Sequence, residues 1–174
     1  VEFEAKALNN TTLPAEDRSE LVDFQKEVAE FSRIVRGAVE EAETLGDKLK
    51  QIKYALFNTP ESTVELQNKV QQMESTLMDL MVDLTGDDTK AKRNAPTYPS
   101  IQSRVGTVIY GMWGTTSSPT ETQRKSLEIA KEEFDSVYSD LENLIKVQLP
   151  EVEDKMAEIN SPYTPGRLPE YEKK

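Results

Sequence analysis

The chain of 174 residues contains no cysteine and no histidine. Disulfides, thiol nucleophiles, haem-attachment motifs and Cys/His zinc sites are therefore all removed together. What remains is carboxylate chemistry, with 32 Asp and Glu against 21 Lys and Arg, for a net charge of -11. A catalytic carboxylate pair needs two acids facing each other in a cleft, and the spacing of the acids gives no sign of one. Glu40, Glu41 and Glu43 read as a solvated helix face. Helical bundles that hold two iron ions use inward glutamates with Glu-x-x-His pairs, which a histidine-free chain cannot make. Asp87 and Asp88 after Gly86 lack the ligand spacing of a calcium loop. No catalytic residue, metal ligand or cofactor-binding residue is expected.

Three features stand above this background. Tyr110 and Trp113 are three residues apart in an apolar stretch; we expect core anchors, with an exposed platform for a partner or sugar as the alternative. Arg104 is the single charge between Asn94 and Ser118, and an interior-facing guanidinium there needs a carboxylate. Tyr163, Thr164, Pro165, Gly166 and Arg167 read as a tail folded back over the end of the helices, or else as a docking strip. The one basic clump, Lys90, Lys92 and Arg93, directly follows Asp87 and Asp88 and reads as a solvated loop. Net charge and a pI near 4.6 argue against nucleic acid and anionic membrane surfaces as partners. The longest apolar-leaning stretch, Val105 to Trp113, is far shorter than the ~20 residues that span a bilayer, so no membrane insertion is expected.

The elements that must carry these residues are helical. Leu21, Phe24, Val28, Phe31, Val35, Ala38, Ala42, Leu45, Leu49, Ile52 and Leu56 alternate steps of three and four without a miss. A repeat averaging 3.5 residues keeps one apolar seam facing the same partners, so a single long helix is predicted over about 14–57, with Pro14 in its first turn. Thr59 and Pro60 restart the chain, and a second helix over about 60–85 carries Leu66, Val70, Met73, Leu77, Leu80 and Leu84. A polar linker from Asp87 to Tyr98 leads to a third helix over about 100–113. Ser118, Pro119, Thr120 and Glu121 read as a capping box that opens a fourth helix over about 119–160. Its register slips at Leu141, Ile145 and Leu149, where Pro150 predicts a kink or break. The whole is expected to be all-α, an up-down-up-down four-helix bundle over 14–160. Residues 1–13 form a short alternating arm, and 161–174 an extended tail.

Three segments carry a family resemblance: "NNTTLPAEDRSELVDFQ", "PSIQSRVG" leading to "MWGTTSSPTETQR", and "SPYTPGRLPEYE". They resemble the C-terminal helical region of large bacterial proteins with BNR-repeat, sortilin (VPS10)-like β-propellers, often labelled glycosyl hydrolases. The resemblance runs from about Ala7 to Tyr171 and implies location within a parent, without a mechanism. The propeller would lie upstream as the principal partner, and 1–13 would be the junction with it. The protein would be exported, hence periplasmic, cell-surface or secreted. A start at Val1 would then reflect excision, in keeping with the lack of a visible signal peptide. The expected function is a non-catalytic accessory domain that positions or oligomerises the propeller. Two rivals are a helical module binding a peptide or glycan through the third helix and tail, and a coiled coil pairing with its own copy. Candidate interaction residues are Arg104, Tyr110, Trp113, Tyr163 and Arg167.

Overall fold

A computed structural model describes residues 16–169 and 171, and every regular element among them is helical. The arm expected at 1–13 lies outside the described residues. Helix α1 spans Arg18–Phe57, α2 Val64–Thr85, the single turn α3 Asp88–Ala91, and α4 Ile101–Trp113. Helices α5 (Glu121–Asn143) and α6 (Leu149–Glu158) are joined by a five-residue π-helical turn, Leu144–Gln148.

Caps decide where the helices begin. The Asp17 carboxylate accepts the Ser19 and Glu20 N–H groups at 2.8 and 3.3 Å, so α1 opens at Arg18 and not at Pro14. The Thr63 hydroxyl accepts from Leu66 N–H, which starts α2 at Val64, later than expected. Thr59 instead closes α1: it is buried and donates to the Ala55 carbonyl at 2.8 Å. The capping box before α5 is built on Thr120, two residues after the Ser118 expected from the sequence. Gln123 N–H donates to the Thr120 hydroxyl at 3.2 Å, and the Gln123 side chain accepts Thr120 N–H at 2.8 Å. Pro119 therefore sits outside the helix, where it is buried.

The seam on α1 is buried from Leu21 to Leu56 without a gap, as its spacing predicts. Its partners are arranged differently from the up-down-up-down order. Glu20 pairs with Arg124, Glu27 with Lys131 and Lys48 with Glu153, so numbers rise together and α1 runs parallel to α5 and α6. Phe31 and Phe134 meet edge-to-face at 5.5 Å in the same register. Lys53 pairs with Glu74, while Leu77 lies against Gly46, so α2 is antiparallel to α1. Arg104 pairs with Glu133, while Gly111 lies against Gln123, so α4 is antiparallel to α5 and points the same way as α2.

Gly86, at the end of α2, lies beside Ser100, the cap of α4. The chain thus leaves α2, loops through α3, and resumes the same direction almost where it stopped. At 1.5 Å per residue, α1 is about 60 Å long, α2 about 33 Å and α4 about 20 Å. Neither shorter helix can cover the α1 seam alone. Stacked in one column they can: α2 covers its C-terminal half and α4 its N-terminal half. A bundle of three columns, the third divided, replaces the four columns expected.

Near Pro150 the predicted irregularity is the π turn. Leu149 N–H bonds to the Leu144 carbonyl five residues back, so one extra residue is accommodated. Proline has no N–H to place, and the wider turn relieves its ring from the Lys146 carbonyl. The buried series runs Leu141, Leu144, Leu149, Val152, Met156, with a step of five at the turn. Leu144 is 1% exposed, whereas Ile145, the residue expected on the seam, packs at its edge.

Candidate functional site

Among the described residues the three columns close on a continuous apolar core from Phe24 to Met156. Among the described residues no group of three or more Asp or Glu is placed to hold a metal ion, and no helix is long and apolar enough to cross a membrane. Candidate sites therefore lie on the surface, in the grooves between columns and at the tail.

Arg104 is held as its type requires. Its Nε and Nη2 donate to the two oxygens of Glu133 at 3.0 and 3.1 Å, and this two-pronged pair ties α4 to α5. Its guanidinium is engaged in joining the two columns. Trp113 and Tyr110 overturn the expectation of core anchors: they are 83% and 78% exposed. The buried stripe of α4 is Ile101, Val105, Val108 and Met112, and the two aromatics fall on its outer flank. No column covers that flank of α4, so both rings stay in solvent while Ile109 beside them packs against the edge of the core. Trp113 instead overhangs a groove of about 740 Å³ between α4 and α1, with Val28, Ile109 and Met112 along the floor and Arg33, Arg36 and Glu40 on the α1 side. The Arg33 guanidinium is already bonded to Glu30 at 2.5 and 2.9 Å, which holds the Glu30 carboxyl below its usual range.

The tail folds back on the C-terminal end of α1. The Ser161 hydroxyl meets that of Thr59 at 3.0 Å, and both residues are buried. Thr164 is buried, Arg167 lies over the Tyr163 ring at 5.5 Å, and Gly166 reaches the Lys48 ammonium. The Thr164 hydroxyl and one Arg167 nitrogen are enclosed without a hydrogen-bond partner among the described residues. Tyr163, 54% exposed, shares a groove of about 450 Å³ with Tyr54, Asn58 and Pro165. This groove borders α1 at 50–58, whereas Trp113 borders it at 25–40. The structure does not bring the third helix and the tail into one site.

One arrangement could not be reached from individual residues. On α1 the positions flanking the seam at 20, 27, 34, 41 and 48 recur every seven residues, and their counterparts are 124, 131 and 138 on α5 and 145 in the π turn. Three rungs are ion pairs: Glu20–Arg124 at 2.7 Å, Glu27–Lys131 at 2.6 Å and Lys48–Glu153 at 2.6 Å. These are the flanking pairs that set register in parallel helices. The offset between partners is 104 in the first two rungs and 105 in the last, the extra residue being the one inserted by the π turn. The two rungs between are not ionic, and they carry Ile34 with Tyr138 and Glu41 with Ile145. There the ladder opens into an apolar groove of about 350 Å³.

No protein-family model matches this chain, and no curated protein and no solved structure matches it either.

Proposed function

We propose that this chain is a non-catalytic accessory domain that acts as a rigid spacer within a larger protein. The observation that carries this reading is the parallel course of α1 and α5–α6. The chain enters α1 at Arg18, and the tail passes beside Lys48, about 45 Å further along the same helix at 1.5 Å per residue. Segments joined at the two ends are thereby held apart, as a bundle with four alternating columns would not do. The seams are fully occupied and the surface carboxylates are solvated or paired with lysine and arginine, which leaves the domain shape as its main asset. The resemblance to the helical region of BNR-repeat, sortilin-like propeller proteins supports an exported parent with its propeller upstream. The chemistry labelled glycosyl hydrolase would belong to that propeller.

A cysteine-free chain lends itself to the test, since two introduced cysteines take dyes cleanly. Dyes at Glu20 and at Glu153, which lies against Lys48, should report a separation of about 42 Å that persists until the protein unfolds. A separation below about 30 Å, or a gradual change at low denaturant, would sink the spacer reading. Hydrolysis of glycosides by the purified chain, abolished by a single carboxylate substitution, would sink the non-catalytic one.

A second reading is supported by the exposure of Trp113 and Tyr110 above the α1–α4 groove: a partner-binding face on α4. Tryptophan, tyrosine and arginine are the residues that most often anchor such faces. Trp113 is the only tryptophan, so its emission reports this face alone. It should be quenched by acrylamide nearly as readily as free tryptophan, and a partner bound there should protect it.

A further inference from the structure

We infer that the tail from Pro162 to Arg167 is a strap, hinged at Ser161, that opens and shuts as a unit while the bundle stays folded. Ser161 itself belongs to the bundle: its N–H donates to the Met156 carbonyl at 2.9 Å, and its hydroxyl meets that of Thr59. Beyond it the attachment changes. Among the described residues, the one hydrogen bond made by 162–169 is internal, from Arg167 N–H to the Thr164 carbonyl at 3.2 Å. The contact of Arg167 with the Tyr163 ring is internal too. Thr164 is the only residue of this stretch that is buried, and its hydroxyl is enclosed without a partner. Docking thus hides a polar group and no apolar side chain. Apolar burial is what ties a segment to a core, and an unpaired polar group works against it. Segments held this way open well below global unfolding.

The strap is nonetheless shaped before it shuts. Pro165 and Gly166, the latter at φ 90°, are the two corners of a type II turn closed by the Arg167 N–H bond, and Pro162 stiffens the approach to it. Little ordering entropy is then lost on docking, which is how so few contacts hold it. Asn160, at φ 53°, turns the chain back, so the strap runs from the level of Thr59 to that of Lys48. At 1.5 Å per residue of α1 this is about 16 Å. Opening therefore moves the point where the chain leaves the bundle by that distance, toward the C-terminal end of α1. A pull on a downstream segment along α1 acts on the strap before it acts on the helices. This consequence for spacing rests on the spacer reading, whereas the opening itself does not.

A single cysteine placed in this cysteine-free chain reads the opening directly. The thiol of Thr164→Cys should react with iodoacetamide roughly 10–1,000 times more slowly than in the unfolded chain, at a rate nearly independent of urea below the unfolding transition. The thiol of Ala130→Cys, in the core on α5, should react more than about 10⁴ times more slowly and speed up steeply with urea. Gly166→Ala combined with Thr164→Cys strains the turn and should speed labelling about fivefold while leaving the urea midpoint in place. Amide exchange in the unaltered chain should show the same contrast, with Arg167 N–H insensitive to urea and Ile52 N–H sensitive, and it serves alone if Ala130→Cys fails to fold. The inference is overturned if the strap positions are as protected as the core with the same urea slope. It is equally overturned if Thr164→Cys reacts as fast as in the unfolded chain, since the strap then never shuts. Dyes at Glu20 and Glu153 both sit on the bundle, so their separation tests the spacer and is blind to the strap.

Discussion

Removing Val147 tests whether the π turn carries the one-residue offset between the columns. Val147 is half-exposed on the turn, and its deletion shortens the five-residue loop to an ordinary α turn. Leu149, Val152 and Met156 then keep their places on the seam, and Glu153 still faces Lys48. The cost comes from Pro150, which now sits inside a continuous α-helix, where it loses a hydrogen bond and meets a carbonyl, for about 3 kcal/mol. For a chain of this size, that loss lowers the melting temperature by roughly 6–12 °C. Adding Pro150→Ala to the deletion should restore most of it, to within about 1 kcal/mol of wild type, while Pro150→Ala alone should be nearly neutral. Urea unfolding followed by circular dichroism gives all three numbers, provided the slopes agree. If the double variant stays more than about 3 kcal/mol below wild type, or fails to fold, the offset is not held by the turn and the reasoning is refuted.

The same register makes Leu144→Ala, which deletes three buried carbons, cost about 3–4 kcal/mol, and Ile145→Ala only about 1–2; equal costs in urea unfolding would contradict it. A double-mutant cycle on Arg104 and Glu133 should give a coupling of about 0.5–1 kcal/mol that shrinks with added salt, given that the carboxylate is partly exposed. Gly37→Ala should stabilise by about 1 kcal/mol, and Gly86→Ala should destabilise because its φ of 104° is strained for any side chain. Bonds from the Ser19 side chain and from the Ser19 and Glu20 N–H groups hold the Asp17 carboxyl below its usual range. Its cap therefore stabilises fully above pH ~4 and is lost as pH falls through the lower folded value, and Asp17→Asn should flatten that part of an acid titration.

Helices and seams were legible because periodicity is a local signal. Every α1 residue from Leu21 to Leu56 that the spacing placed inside is inside, and the irregularity at Pro150 was placed to within a few residues. Direction was not legible. The loop from Gly86 to Ser100 is long enough to return the chain either way, and helix lengths, which emerge only once the caps are known, decide that α4 must extend α2. The miss at Trp113 follows from that one: its apolar stretch predicts a place inside the bundle, but α4 packs along one face and leaves Trp113 on the other. Arg104 needed a carboxylate, as its sequence setting indicated, but Glu133 could be named only once α4 and α5 were docked. The open rungs at Ile34 and Glu41 were invisible for a different reason, since each is unremarkable until a residue 104 positions away is set beside it.

That constant separation also shapes how the chain folds. Lys53 and Glu74 are 21 residues apart, so α1 and α2 can meet early as a local hairpin. Bringing Arg124 to Glu20 closes a loop of 104 residues, an entropic cost about 1.4 kcal/mol greater by the logarithmic law. The long closure is incurred once, however, because Lys131 lies as far from Glu27 as Arg124 does from Glu20. After the first rung forms, the others follow by zipping along a loop already closed, and the late, slow event is the registration of one long helix against another.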